Sequence, residues 1–201
     1  FRVGGIIRLE SSLEIDNVKG LTVAGQTAST PGIELQMPPD PDANFQGSAV
    51  LRVLNSDDIV IQFLRIRCTL PENTSFGGNR IHGLQLAGVH NAMVDHVSIA
   101  FCSSSLVALQ YSSNVTVQNS ALTHPRGRLS GDYVSCVTGY DETSSSTTGG
   151  FTFQRNLMTH AYNIVTGKLR SPIEFVGNVF YNWKYFGLNF NFLDDDRIDT
   201  N

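Results

Sequence analysis

Charge is scarce in this chain: Lys, Arg, Asp and Glu supply only 16% of its 201 residues, 14 basic against 18 acidic, for a net charge of -4. No global positive field exists to hold nucleic acid or an anionic membrane surface. Long apolar runs are missing as well, since stretches such as Ile59 to Leu64 break off well before the roughly 20 residues that a membrane span requires. Cysteine is limited to Cys68, Cys102 and Cys136, with no CxxC pair, which argues against a thiolate metal site. The three read as small buried hydrophobes, and a disulfide between two of them stays open. Asn-Gly and Asp-Gly pairs do not occur, so the two-residue hairpins that a β-sandwich would need have no signal. Helical periodicity is absent. The chain starts on Phe1-Arg2-Val3-Gly4-Gly5 without Met or a basic-then-apolar leader, and so reads as a mature piece or a fragment of a longer protein.

What is present is period-two alternation, bounded by Asn, Ser, Asp and Gly clusters. Segments beginning at Ile59, Ala92, Val115, Phe151 and Ile173 share one order, apolar-polar-apolar, then polar residues, then apolar again. Their spacings of 33, 23, 36 and 22 residues read as a unit of 22 or 23 with loops inserted twice, and Leu21-Thr22-Val23-Ala24-Gly25 looks like an earlier copy. A second short alternating run precedes several copies, as in Val50-Leu51-Arg52-Val53-Leu54, Gly83-Leu84-Gln85-Leu86 and Leu106-Val107-Ala108-Leu109. A unit this short cannot bury its own apolar face, so it must stack on its neighbours at about 4.8 Å from strand to strand. The repeat therefore predicts an all-β parallel β-helix in one domain spanning 1–201, with 184–201 read as a C-terminal extension. It further predicts that Ile61, Val94, Val117, Phe153 and Phe175 form one inward column, that Asn156 and Asn178 pass amide hydrogen bonds from coil to coil, and that His124 and His160 align.

Four segments in order resemble the pectate lyase family: Leu21-Thr22-Val23-Ala24-Gly25-Gln26-Thr27-Ala28, Val94-Asp95-His96-Val97-Ser98, Phe151-Thr152-Phe153-Gln154-Arg155-Asn156-Leu157-Met158, and Glu174 through Trp183. The resemblance covers about Val3 to Trp183 and implies a right-handed helix with coils of about 22 residues. It also implies calcium-assisted β-elimination on polygalacturonate, in which carboxylates hold Ca²⁺ against the uronate and an Arg removes the proton α to its carboxyl group. The family's acids fall here on His82, Ser104 and Ala108, and its substrate-binding Lys falls on Val134. Hard Ca²⁺ needs several oxygen ligands, usually with multiple carboxylates among them. The expectation is no metal and no cofactor, with Ca²⁺ required only if the family activity persists. Arg170-Ser171-Pro172 spells the family's catalytic RxP, yet it abuts the strand at Ile173, and spacing from His160 points instead to Ile164-Val165-Thr166. Arg170 is thus a weak catalytic candidate beside its reading as a solvated turn residue.

Other polar groups divide the same way. Asp95 and His96 read as fold support, since adjacent strand residues point to opposite faces. His124 and His160 without a third ligand make a weak metal pair. Arg126 and Arg128, in the one local basic cluster, are substrate-binding candidates for an anionic sugar through bidentate contacts, against an ordinary solvated loop. Asp194, Asp195, Asp196 and Asp199 lack the Gly and distal Glu of a recognised calcium loop and read as an acidic tail. Tyr181, Trp183, Tyr185, Phe186, Phe190 and Phe192 crowd the C-terminal stretch and suit core, interface or sugar stacking. Asn73-Thr74-Ser75 and Asn114-Val115-Thr116 are glycosylation sequons.

Three functional classes follow: a secreted β-helix that has lost the lyase site and binds carbohydrate or serves structurally; an active polysaccharide lyase or glycoside hydrolase acting on pectin-like acidic polysaccharide; and a segment of a stacked fibre or adhesin. The expected partners are polysaccharide or copies of the chain stacked end to end, because neither Arg2 to Leu9 nor Phe186 to Phe192 carries an evident cap over its coil edge.

Overall fold

A computed structural model of the chain describes residues 1–37, 46–68, 81–126, 134–140, 149–168 and 172–190. The Asn, Ser and Gly clusters break the alternating runs into short strands, three to a coil. The coils are β1 (Gly5–Arg8), β2 (Ser11–Asp16) and β3 (Lys19–Ala24); β4 (Ile33–Gln36), β5 (Gln46–Leu54) and β6 (Asp57–Gln62); β7 (Leu64–Arg67), β8 (His82–Ala87) and β9 (His90–Asp95). There follow β10 (Ser98–Ala100), β11 (Ser105–Gln110) and β12 (Ser113–Gln118); β13 (Ala121–Thr123), β14 (Ser135–Tyr140) and β15 (Gly149–Gln154); β16 (Leu157–Thr159), β17 (Asn163–Gly167) and β18 (Ile173–Val176); and β19 (Val179–Tyr181) with β20 (Phe186–Phe190). Sheet A takes the first strand of every coil, sheet B the second and sheet C the third. Neighbouring coils pair in parallel, strand on strand, which makes the fold a right-handed parallel β-helix.

The predicted inward column exists. Val23, Ile61, Val94, Val117, Phe153 and Phe175 are register partners in sheet C, and Ile61, Val94, Val117 and Phe153 are buried. Phe175 lies half-buried, its ring stacked on Phe153 at 5.1 Å. Sheet A contributes Leu35, Ile66, Ile99, Leu122 and Met158, and sheet B contributes Leu51, Leu84, Val107, Val137 and Val165, so the core is a continuous apolar shaft. Burial of such side chains contributes roughly 1.5–3 kcal/mol each.

Corners are made by single left-handed residues that recur coil after coil. Phe63, His96, Asn119 and Arg155 occupy one corner with φ between 49° and 56°, and Phe101, His124, His160 and Asn182 occupy another with φ between 50° and 70°. Such φ values are unfavourable for bulky side chains, so stacking within each row must offset the strain. One coil before Phe63 stands Gly25, which is not left-handed, and a Cβ there would collide with the Phe63 carbonyl oxygen. Beside this corner runs a buried polar ladder. The Ser120 N–H donates to Asn156 Oδ1 (3.0 Å), Asn156 N–H and Nδ2 donate to Asn178 Oδ1 (both 3.0 Å), and the two amides also donate to the Val117 and Phe153 carbonyls. The predicted amide relay is therefore present, with Ser120 as its next rung.

Cys68 and Cys102 form a disulfide, so the reading of all three cysteines as free hydrophobes holds for Cys136 alone. Coil stacking brings the pair to a Cα separation of 4.7 Å, although 34 residues separate them in sequence. Burial pushes the Cys136 thiol up to about 12. In the stretch read as a C-terminal extension, β20 pairs with β17 as a further strand of sheet B; residues 191–201, with the Asp194–Asp196 run, Asp199 and Phe192, lie outside the described residues.

Candidate functional site

The positions where the resemblance puts calcium and substrate lie on sheet B. His82 opens β8 opposite Ser105 of β11; its Nδ1 lies 2.6 Å from Ser105 Oγ and accepts the Ser105 N–H at 3.3 Å. Ser104 precedes β11, its N–H donating to the Ile81 carbonyl at 3.1 Å. Ala108 is buried, next to Gln85 in register. Val134 is buried just before β14, and its carbonyl accepts the N–H groups of Tyr162 and Asn163. His82 and the Ser104–Ser105 pair do converge, but none of these side chains is a carboxylate.

One outward row crosses this sheet: Glu14, Arg52, Gln85, Ala108, Thr138, Thr166 and Asn189. At its first end the side chains join. Arg52 Nη1 meets Glu14 Oε2 at 2.7 Å, Arg52 Nε and Ser48 Oγ donate to Gln85 Oε1 at 3.0 and 2.8 Å, and Gln85 Nε2 donates to Gln110 Oε1 at 2.8 Å. Gln85 is buried, whereas the Arg52 and Glu14 side chains keep 26% and 44% of their surface, so at this end the open part of the row is an ion pair. Sequence reading missed this chain, although its signal was available. Arg52, Gln85 and Ala108 hold the same place in three successive copies of the second alternating run, and comparing that place across copies exposes the row.

The other candidates scatter. Arg170, Arg128 and Asn73 lie outside the described residues. Ile164 and Val165, where spacing pointed for the catalytic Arg, are buried on β17. Arg126 lies over the Phe101 ring at 4.6 Å. His124 and His160 stack with ring centroids 4.0 Å apart and planes 12° from parallel. A metal lies in the plane of each imidazole that binds it, so two parallel rings at this distance suit stacking rather than a shared ion. Burial, together with His160 and Arg126, holds His124 below its ordinary value. Asn114 is exposed in a left-handed turn and donates to Asn91 Oδ1 at 3.2 Å. Tyr181, Trp183, Tyr185 and Phe186 are exposed on the last described coil, where no further described coil covers them.

Asp95 and His96 depart from the expectation that adjacent residues face apart. Alternation stops at Asp95, the end of β9, and the left-handed φ of 50° at His96 turns its ring back, so that Nδ1 lies 2.9 Å from Asp95 Oδ1. Burial raises the Asp95 carboxyl, but hydrogen bonds from Asn119, His96 and Gln118 outweigh it and hold the group below its ordinary value. His96 stacks on Phe63 at 4.7 Å.

No family model and no curated protein matches the chain. A crystal structure from Parabacteroides merdae, provisionally described as a glycosyl hydrolase, is similar with a TM-score of 0.55 over 88% of this chain and 81% of that one. At 12% identity, the likeness is one of fold.

Proposed function

We propose that this chain is a secreted, carbohydrate-binding parallel β-helix in which the calcium-dependent chemistry of pectate lyases has been given up. The observation that carries the reading is the outward row of sheet B. Its one carboxylate, Glu14, is already paired with Arg52, the family's acidic positions hold His82, Ser104 and Ala108, and among the described residues no group of three or more His, Cys, Asp or Glu side chains is gathered for a cation. The Arg52 guanidinium, the Thr138 and Thr166 hydroxyls and the Asn189 amide, each half-buried along this row, are groups that hydrogen-bond sugar hydroxyls. The provisional description of the Parabacteroides merdae neighbour supports a carbohydrate-related role, and the Cys68–Cys102 disulfide supports folding in an oxidising, extracellular compartment. On this reading Asn114 is an accessible glycosylation acceptor.

The test has two arms. Incubation with polygalacturonate and Ca²⁺ is expected to yield no ultraviolet-absorbing unsaturated product and no calorimetric Ca²⁺ signal, while a polysaccharide panel is expected to show binding that Arg52→Ala weakens. Calcium-dependent turnover overturns the loss of catalysis, and failure to bind any polysaccharide overturns the binding role.

A second, structural reading rests on the last described coil, where Val176, Val179, Tyr181, Tyr185 and Leu188 are exposed beside strands β18 to β20. Apolar side chains exposed on the last described coil suit a further coil or a second copy stacked end to end. Concentration-dependent rods in light scattering support stacking of copies; a monomer at all concentrations excludes it.

A further inference from the structure

A recess of about 380 Å³ opens where the first coils turn from sheet C into sheet A, away from the sheet B row. Gly25, Gln26, Thr30 and Gly32 from the first turn and Phe63, Arg65, His96 and Ser98 from the next two line it. Its size falls in the range of small-ligand sites, at the low end. Phe63 and His96 stack along the helix axis at 4.7 Å, which occupies one face of the Phe63 ring. In the preceding coil the equivalent residue is Gly25, which has no side chain to lie on the other face, and Phe63 stays 41% exposed. The left-handed corner at φ 56° holds this ring outside the core. Arg65, two residues on, keeps its buried Nε at 3.5 Å from Glu34 Oε2, without hydrogen-bond geometry. The rest of its guanidinium, on a side chain 38% exposed, has no acceptor among the described residues. Arg67 beside it is spent on Ser98, through its carbonyl at 2.6 Å and its Oγ at 2.9 Å. Arg65 is thus the one arginine among the residues that line the recess, and none of them is a carboxylate.

We infer that this recess binds a pyranose ring carrying an anionic group, its apolar C–H face against Phe63 and its carboxylate or sulfate at Arg65. An aromatic face with negative charge density attracts the partly positive C–H groups of a sugar ring, and a planar guanidinium grips a planar anion with two parallel hydrogen bonds. Gln26 and Thr30 also line the recess and would serve as partners for the sugar hydroxyls. The choice of a sugar rests on the carbohydrate-binding reading above, but the site is separate from the sheet B row, so the two can fail independently.

The experiment titrates ¹⁵N-labelled protein with glucuronate- and galacturonate-containing tetrasaccharides, a sulfated tetrasaccharide and a neutral tetrasaccharide, and repeats the titrations with Phe63→Ala and Arg65→Gln. Acidic oligosaccharides are expected to shift the amides of Gly25, Gly32, Phe63 and His96, with the tighter of the carboxylate and sulfate arms identifying the anion. Each variant is expected to weaken that binding at least tenfold, and Arg65→Gln to leave the neutral control unchanged. Arg65 is exposed enough that its variant folds even if Phe63→Ala does not. Shifts confined to Arg52, Gln85 and their neighbours, or variants that bind as wild type, overturn the recess while leaving the carbohydrate reading intact; no binding of any saccharide overturns both.

Discussion

At the scale of single residues, Val117 and His124 show how position decides what a side chain does. Val117 is fully buried between Val94 and Phe153 in the sheet C column, so Val117→Asp puts a carboxylate where no described cation can reach it. The expected loss is at least about 3 kcal/mol in denaturant unfolding, and a variant as stable as wild type would mean a wrong register. His124 acts through charge. Its folded state resists protonation because of burial, His160 and Arg126, so below about pH 6.5 the unfolded chain takes up a proton that the folded chain refuses. Stability is then greatest well above that value and declines as pH falls through it towards 5. The fall in melting temperature over that range is expected to be smaller in His124→Asn, which also tolerates the left-handed φ of 52°.

Among elements, the ladders matter most, because each strand is too short to be stable alone. Asn156 accepts the Ser120 N–H and donates to the Val117 carbonyl and to Asn178. Asn156→Leu strands these groups in a buried place, and a loss of about 2–4 kcal/mol is expected from urea unfolding, at roughly 1–3 kcal/mol for each group left unsatisfied. A loss under about 1 kcal/mol would mean that water replaces the amide. The strands and this ladder were legible in the sequence because the repeat aligns Asn156 with Asn178 at a spacing of 22. The Asp95–His96 contact was not legible, since alternation says nothing of the residue at which a strand turns. The sheet B row was legible in principle, yet the family pattern drew attention to His82 and Ala108 rather than to Arg52 and Gln85.

For the whole molecule, the disulfide ties consecutive coils together across 34 residues of chain. Replacing Cys68 and Cys102 with Ala is expected to destabilise the protein by roughly 3–4 kcal/mol through the freed unfolded chain, read as a lower denaturation midpoint. Reducing wild type should give the same shift, and no shift in either case would show that the cross-link does not constrain the unfolded state. By itself the sequence determined the solenoid, its coil length, its inward column and the alignment of His124 with His160, because a 22-residue period acts on every coil alike and needs no knowledge of distant contacts. Only the tertiary structure decided which cysteines meet, that His96 folds back onto Asp95 and Phe63, and that Gly25 leaves Phe63 uncovered above Arg65. Those outcomes depend on how inserted loops and left-handed corners set one coil against the next, and the physical reason is that a corner's direction comes from backbone φ and neighbour packing, which no periodicity records.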